Sequence, residues 1–326
     1  MEALDAIRPP TLAEIEAARE RIAGTATRTP LIKLEIGRPG PAVYLKLENL
    51  QPINSFKLRG AANAVAMLAP ERRAAGVWTI SAGNAGQGVA FAARQAGVPC
   101  TVVTIETAPE TKVARMRALG ANLVKASFDA CWEAMERRSF PGVGGTFVHP
   151  FDDDDFIAGN ATMGLEIVED LPEVRTVITA IGGGGLLTGV AAGVKARAPD
   201  VRVYGAEPET AAPGSASFAR GEAASFDGWQ ASFVDGAGGK SVFPRMWERF
   251  RDLADGSIVV TLDETKRAMR TMAEKARVIS EGAGAVALAA ALSGRVSGEG
   301  PVVAVVSGGN VDLATFWELI SSVEPA

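Results

Sequence analysis

The sequence predicts an α/β fold of two doubly wound, mostly parallel sheets, and three observations predict it. Short β-branched runs alternate with helical patterns between residues 76 and 138 and again between 174 and 306. That rhythm marks parallel strands joined by right-handed crossovers. Glycine-rich turns stand where strands give way to helices, at 81–88 and 181–186. At 326 residues and 47% hydrophobic content the chain also exceeds the size at which one core usually divides, so two domains are expected.

Taken in order, Thr11 can cap a helix over residues 12–23, with Glu14 three residues on as in a capping box. Pro30 and Leu31 begin an extended segment. Val43-Tyr44-Leu45-Lys46-Leu47 alternates as a strand does, before a turn over 49–54 and a helix-compatible run over 58–67. Strand 76–80 is then followed by helix 86–96, strand 100–105 by helix 111–119, and strand 122–125 by helix 128–138. The second half offers strand 174–180, helix 186–198, strand 201–206, helical patterns over 265–276 and 282–292, and strand 302–306. Residues 211–239 are rich in Gly, Ala and Ser with poor periodicity, which predicts loops crossing a domain face.

Composition removes several classes of function. The net charge is −5 with a pI near 5.2, and basic residues are scattered among acids, so no nucleic-acid footprint is present. Residues 1–12 lack a basic stretch followed by an apolar core, and no apolar run is long enough to span a bilayer, so a cytoplasmic protein is expected. Cys100 and Cys131 are the only cysteines and read as reduced core thiols. His149 is the only histidine; Ser-His-Asp hydrolysis would rest entirely on it, and multi-histidine metal centres are excluded by count.

Chemistry must therefore use another group, and Lys57 is the candidate. It lies between Phe56 and Leu58 in Ser55-Phe56-Lys57-Leu58-Arg59-Gly60, at a junction of strand, loop and helix. Burial there disfavours the ammonium, lowers the pKa and leaves an amine able to attack a carbonyl. The plain alternative is a lysine whose stem packs while its head reaches water. Ile181-Gly182-Gly183-Gly184-Gly185-Leu186 ends a strand and opens a helix, so converging N–H groups and the helix dipole suit a phosphate, where an ordinary tight turn is the alternative. It has no Gly-Lys-Ser/Thr ending, and the first strand-to-helix turn of the chain lacks the dinucleotide fingerprint. Ser81-Ala82-Gly83-Asn84-Ala85-Gly86-Gln87-Gly88 offers a hydroxyl, an amide and N–H groups to a carboxylate, unless Ser81 or Asn84 simply caps the helix. Val305-Val306-Ser307-Gly308-Gly309-Asn310 puts a serine at the carboxyl end of a parallel strand, facing the crevice where such sheets bind ligands, or else a capping serine.

In this order and spacing the four segments resemble the fold-type-II pyridoxal-phosphate enzymes, of tryptophan synthase β-like architecture, and more narrowly their serine/threonine dehydratase and serine racemase branch. Leu47-Glu48-Asn49-Leu50-Gln51, His149-Pro150-Phe151-Asp152-Asp153, Gly205-Ala206-Glu207-Pro208 and Glu281-Gly282-Ala283-Gly284-Ala285 fit it too, so the resemblance runs from about residue 29 to residue 310. It implies pyridoxal 5'-phosphate held by Phe56, Lys57, Asn84, Gly182, Gly183, Gly184, Gly185, Glu281 and Ser307. Lys57 would carry the cofactor and act as the base at Cα, Phe56 would pack on the ring, Asn84 would meet its 3-hydroxyl, the glycines its phosphate and Ser307 its nitrogen. A neutral hydroxyl does not hold that nitrogen protonated, which favours β-elimination over transamination. Ser81, Ala82, Gly83, Asn84 and Ala85 would bind the substrate, with Ser81, Asn84 and the Ala85 N–H on its carboxylate. The resemblance further implies a small domain, 50–150, inserted into a large one, 1–49 and 151–326, and a homodimer. Its reaction would be dehydration of a β-hydroxy-α-amino acid to a 2-oxo acid and ammonia. An amino-acid racemase or β-replacement synthase of the same fold is the alternative; a binding protein without turnover, or a dinucleotide binder, gives Lys57 no role.

Departures from the family pattern carry expectations of their own. Racemising relatives place a serine where this chain has Ala82, so elimination should exceed racemisation. Histidine is common where Ala85 stands, so the pocket should be wider and suit a bulky β-substituent such as that of 3-phenylserine. Some relatives bind a cation through the acid matching Glu207 and another six residues later; that later position is Pro213, which leaves a metal site undecided. Biosynthetic threonine dehydratases append a regulatory domain, and with the sequence ending at Ala326 no fused feedback control is expected.

Overall fold

The computed structural model describes residues 6–37, 40–296 and 300–326; the first five residues of the stretch searched for a leader lie outside it. The strands are β1 (Leu31–Leu34), β2 (Val43–Lys46), β3 (Val77–Ile80), β4 (Cys100–Ile105), β5 (Asn122–Ala126), β6 (Thr146–Phe147), β7 (Thr176–Ala180), β8 (Arg202–Pro208), β9 (Gly256–Val260) and β10 (Val302–Val305). They form a six-stranded sheet of order β1-β2-β10-β7-β8-β9 and a four-stranded sheet of order β5-β4-β3-β6. Only the β1–β2 pair is antiparallel among the named pairings. Every residue of β3, β7 and β10 is buried, as expected for strands covered by helices on both faces.

The helices are α1 (Leu12–Ile22), α2 (Lys57–Met67), α3 (Pro70–Ala75), α4 (Asn84–Ala96), α5 (Glu110–Ala118), α6 (Phe128–Arg137), α7 (Asp154–Asp170), α8 (Gly185–Lys195), α9 (Pro213–Arg220), α10 (Pro244–Phe250), α11 (Leu262–Thr271), α12 (Gly282–Leu292) and α13 (Leu313–Ser321). The capping box at Thr11 and Glu14 opens α1 as the sequence predicts. Two expectations are corrected. The loops predicted over 211–239 contain α9, bracketed by Pro213 in its first turn and by Gly221 in the left-handed region at its end. Nothing was predicted at 154–170, yet α7 is the longest helix described and packs along α8 and α2. Its glycines look like breakers in sequence, but Gly164 lets the α8 backbone approach so closely that a Cβ there would lie 2.5 Å from Val190 O.

A buried ionic cluster joins β2, the turn that follows it, α2 and α7. Arg59 of α2 donates through Nε and Nη2 to Glu48 at 2.8 and 2.9 Å, and through Nη1 and Nη2 to Glu166 of α7 at 2.7 and 2.8 Å. Lys46, at the end of β2, reaches Glu166 at 2.7 Å and donates to Thr29 O at 2.7 Å. All four charged side chains are buried. Burial alone would raise the Glu48 pKa; Arg59 above all pulls it below the usual carboxylate range. Arg59→Met would strand both carboxylates without their shared cation, and guanidinium denaturation should show a loss of about 3–5 kcal/mol. A loss under about 1 kcal/mol would refute the central place given to this residue.

Candidate active site

A cavity of about 430 Å³ gathers Phe56, Lys57, Ser81, Ala82, Gly83, Asn84, Ala85, Gly182, Gly183, Gly184, Gly185, Glu281 and Ser307. The residues to which the sequence assigns the cofactor and the substrate thus line one space. Lys57 is the first residue of α2, and the segment before it is fastened to the end of β10: Phe56 N donates to Ser307 O at 3.0 Å, and Ser55 bridges to Gly308. The Lys57 Nζ donates to Pro150 O at 2.6 Å and lies 5.1 Å from the centre of the Phe56 ring. Burial pushes its pKa down to about 8, so the neutral amine is within reach near physiological pH.

His149 has a structural task. Its Nδ1 accepts the N–H groups of Phe151 and Asp152 at 3.3 and 3.0 Å, which shapes the turn that aims Pro150 O at Lys57. Burial first, then the cation of Arg138, pushes its pKa down to about 3, so it stays neutral and takes no part as an acid. Asp152 anchors the same turn by accepting from Arg138, Arg245 and Arg249 at 2.6, 3.1 and 2.8 Å.

The glycine turn follows β7 and opens α8. Gly184 has φ +91°, a region that side chains avoid, and a Cβ on Gly183 would overlap the Phe151 ring. No side chain caps α8, so the N–H groups of its first turn remain available to an anion at the positive end of the helix dipole. The second turn is built alike. Neither Ser81 nor Asn84 caps α4: Gly83 holds the capping position without a side-chain bond, and Ser81 Oγ accepts from Gly83 N at 3.0 Å. Asn84 Nδ2 donates to Glu281 Oε1 at 2.6 Å. Burial, then repulsion from Asp235, pushes the Glu281 pKa up to about 7. Ser307 Oγ donates to Ala283 O at 3.2 Å.

Sequence reasoning missed several groups in this cavity. Lys112 of α5 and Asp235 pair at 2.5 Å, joining the helices of the small sheet to the loop before α10. Ile80, Ile105, Pro109 and Met135 supply an apolar wall, and Phe151 packs under the glycine turn. Only the Asp235-Gly236 pair inside a glycine-rich stretch gave any signal; the rest arrive through tertiary packing. The residues around Glu207 do not fit a cation. Its carboxylate accepts from Gly214 N and Ser215 N, each at 2.8 Å, and from Ser257 Oγ at 2.6 Å, so the start of α9 sits where positive charge is needed. No cluster of three metal-ligating side chains occurs among the described residues.

The arrangement suits a group with a phosphate at one end and an aldehyde at the other: an uncapped helix start faces the same space as a deprotonatable amine, with the flat ring of Phe56 beside the amine and a neutral hydroxyl and amide lining the same cavity. Comparison with known proteins agrees. The family model for pyridoxal-phosphate dependent enzymes matches residues 22–308. An L-threonine ammonia-lyase of Thermotoga maritima is 40% identical over 316 residues, covering 95% of this chain and 78% of that protein. Maize serine racemase superposes with a TM-score of 0.86 at 32% identity, covering 97% of this chain and 98% of that one. The processed form of threonine deaminase isoform 2 from Solanum lycopersicum gives 0.81 at 30% identity, covering 98% and 96%. With the family model spanning most of its length and its glycine turn, lysine and hydroxyl all facing one cavity, the chain belongs to the pyridoxal-phosphate dependent enzymes.

Proposed function

We propose that this enzyme is an ammonia-lyase that dehydrates a β-hydroxy-α-amino acid to a 2-oxo acid and ammonia. The observation that carries the reading is Lys57, a lowered-pKa amine sharing one cavity with the glycine turn and Ser307, in a chain 40% identical to an L-threonine ammonia-lyase. Two domains, 50–150 and 1–49 with 151–326, enclosing the cofactor in their cleft, belong to the same proposal, as do a cytoplasmic location and a homodimer. No helix of the described residues is long and apolar enough to cross a membrane. Leu313 and Trp317 on α13, 68% and 69% exposed, offer apolar surface to a second copy, and sedimentation at several concentrations checks that part.

Bound pyridoxal phosphate supplies an electron-withdrawing ring that acidifies the substrate Cα–H. Gly182 to Gly185 would hold its phosphate, Phe56 would flank its ring, and Asn84, Glu281 and Ser307 would supply its polar contacts. The Ser81 hydroxyl and the free N–H groups opening α4 hold the substrate carboxylate, which orients Cα toward Lys57. The Lys57 amine, kept near Pro150 O, takes the Cα proton; the β-hydroxyl departs as water, and the unsaturated amino acid tautomerises and hydrolyses to the 2-oxo acid and ammonia. Similarity to a serine racemase raises racemisation as a second reading, but Ala82 has no group to deliver a proton to the opposite face.

The substrate is the finer part of the proposal. Ala85 is buried at the start of α4, and the cavity it lines has the apolar wall of Ile80, Ile105, Pro109 and Met135. Each CH₂ equivalent buried there contributes about 0.8 kcal/mol, which an aromatic β-substituent multiplies several-fold over a methyl group. L-threo-3-phenylserine should therefore exceed L-threonine and L-serine in kcat/KM, and Ala85→His should reverse the order; a wild-type preference for threonine would defeat the open-pocket part alone. For Lys57, the fraction of free amine in the folded protein rises with pH through a midpoint of about 8. Borohydride fixation of added pyridoxal phosphate to the protein should follow that curve and vanish in Lys57→Ala, together with oxo-acid production; a label that persists in the alanine variant would remove Lys57 from its role.

A further inference from the structure

Two side-chain amides beside the cavity form a chain with a forced direction. Arg115 Nη1 donates to Asn310 Oδ1 at 2.6 Å; Asn310 Nδ2 donates to Ile53 O at 2.9 Å and to Asn84 Oδ1 at 2.8 Å; Asn84 Nδ2 donates to Glu281 Oε1. An amide group can be turned either way on shape alone, so its partners must decide. Here they do. A guanidinium only donates, so the Asn310 oxygen faces Arg115; a backbone carbonyl only accepts, so the Asn310 nitrogen faces Ile53 and, with its second hydrogen, Asn84. Asn84 must then turn its oxygen to Asn310 and its nitrogen to Glu281. Glu281 takes one of the two amide hydrogens of Asn84, and the other has no partner among the described residues.

Glu281 alone could not fix this direction. With its pKa pushed up to about 7, near neutrality it exists both as a carboxylate, which only accepts, and as an acid, which can also donate. Asn310 has no such ambiguity. It is buried, and its own partners are a backbone carbonyl at Ile53, which only accepts, and the guanidinium of Arg115, which only donates.

We propose that Asn310 is a positioning residue that holds Asn84 with its N–H, rather than its carbonyl, toward the ring 3-oxygen of the cofactor, and that Arg115 steadies Asn310 from the surface. The proposal rests on the functional reading above, which sets the ring against Asn84. An N–H aimed at that oxygen stabilises its anionic form, whereas a carbonyl aimed at it would require the protonated form. The chain also joins the two sheets: Asn84 and Arg115 belong to α4 and α5 of the small one, while Asn310 follows β10 and Glu281 precedes α12 of the large one. The donor is aimed only while these elements stay together.

Two variants of the holoenzyme separate polarity from packing. Asn310→Asp keeps the size but cannot donate to Asn84; Asn310→Ala deletes the contact and leaves room for water. The visible absorption of bound pyridoxal phosphate would be recorded against pH, with its Kd, the steady-state constants and thermal unfolding alongside. The aspartate variant should move the band from the long-wavelength anionic form toward the near-ultraviolet neutral form further than the alanine variant does. It should also lower kcat on the order of tenfold or more, with KM changed less. A space-filling residue gives the opposite order, alanine being the worse. That order, or a band unmoved by the aspartate, overturns the proposal. Should the aspartate variant not fold, Arg115 decides, since it lies at the surface. Arg115→Leu should shift the band in the same direction and Arg115→Lys, still a pure donor, should keep it; no shift in the leucine variant, or equal shifts in both, overturns the proposal. Failure to bind pyridoxal phosphate at all would refute the functional reading, whereas a bound cofactor whose spectrum ignores positions 310 and 115 refutes only this inference.

Discussion

The guanidinium of Arg59, buried between Glu48 and Glu166, is the constraint on which the rest of the site depends. Taking these charges out of water is expensive, and a well-packed apolar cluster of the same volume could match it in stability. What the ions add is direction. A planar fork with two carboxylates on it accepts one arrangement, and that arrangement fixes the first turn of α2 relative to β2 and α7. Lys57 lies two residues before Arg59, so its side chain leaves the helix start at an angle set by this cluster.

The opposite wall is held with equal care by groups that never meet a substrate. His149 commits its one accepting nitrogen, Nδ1, to two backbone N–H groups, and three arginines converge on Asp152 beside it. The result is a rigid Pro150-Phe151 corner whose carbonyl faces Lys57 and whose ring closes on Gly183. One corner therefore sets both the amine and the anion-binding turn. Around Glu207 the same economy appears in another form, with backbone N–H groups and a hydroxyl meeting a carboxylate that burial still pushes up to about 7 despite these hydrogen bonds.

Local signals made much of this legible in the sequence. A strand that ends in four glycines announces a helix start with open N–H groups, because no side chain there can cap it, whereas Ser-Ala-Gly-Asn left a capping Ser81 or Asn84 open until the fold put Gly83 at that position. Lys57 became legible only when its apolar neighbours were read together with the glycine-rich and Asn-bearing segments downstream. α7 stayed hidden because Gly159 and Gly164 mimic breakers, and their purpose is a close approach to other backbones that only the folded chain displays. α9 stayed hidden because its buried face is Pro213, Gly214 and Ser217, which gives no apolar period to read. Asn310 was visible as part of a motif, yet its partners Ile53, Arg115 and Asn84 come from far along the chain, and hydrogen-bond direction is a property of the assembled network. Pro150 was likewise visible only as part of a motif, and Lys112 and Asp235 escaped because the fold alone brings them together.

The order of strands in the large sheet bears on how the protein is made. β10, the last strand of the chain, occupies a central place between β2 and β7: Val302 pairs with Val43 on one side and with Thr176 on the other. During synthesis the β1–β2 hairpin leaves the ribosome early and must wait with one long edge unpaired until nearly the whole polypeptide has followed. The four-stranded sheet, whose strands all lie between Val77 and Phe147, has no such delay. Closure of the large sheet is thus a late, non-local event of the kind that folds slowly and exposes strand edges to aggregation. It also places Ser307 and the turn that receives Phe56 among the last parts to arrive, so a nascent chain stalled before β10 has its lysine but no pocket to put it in.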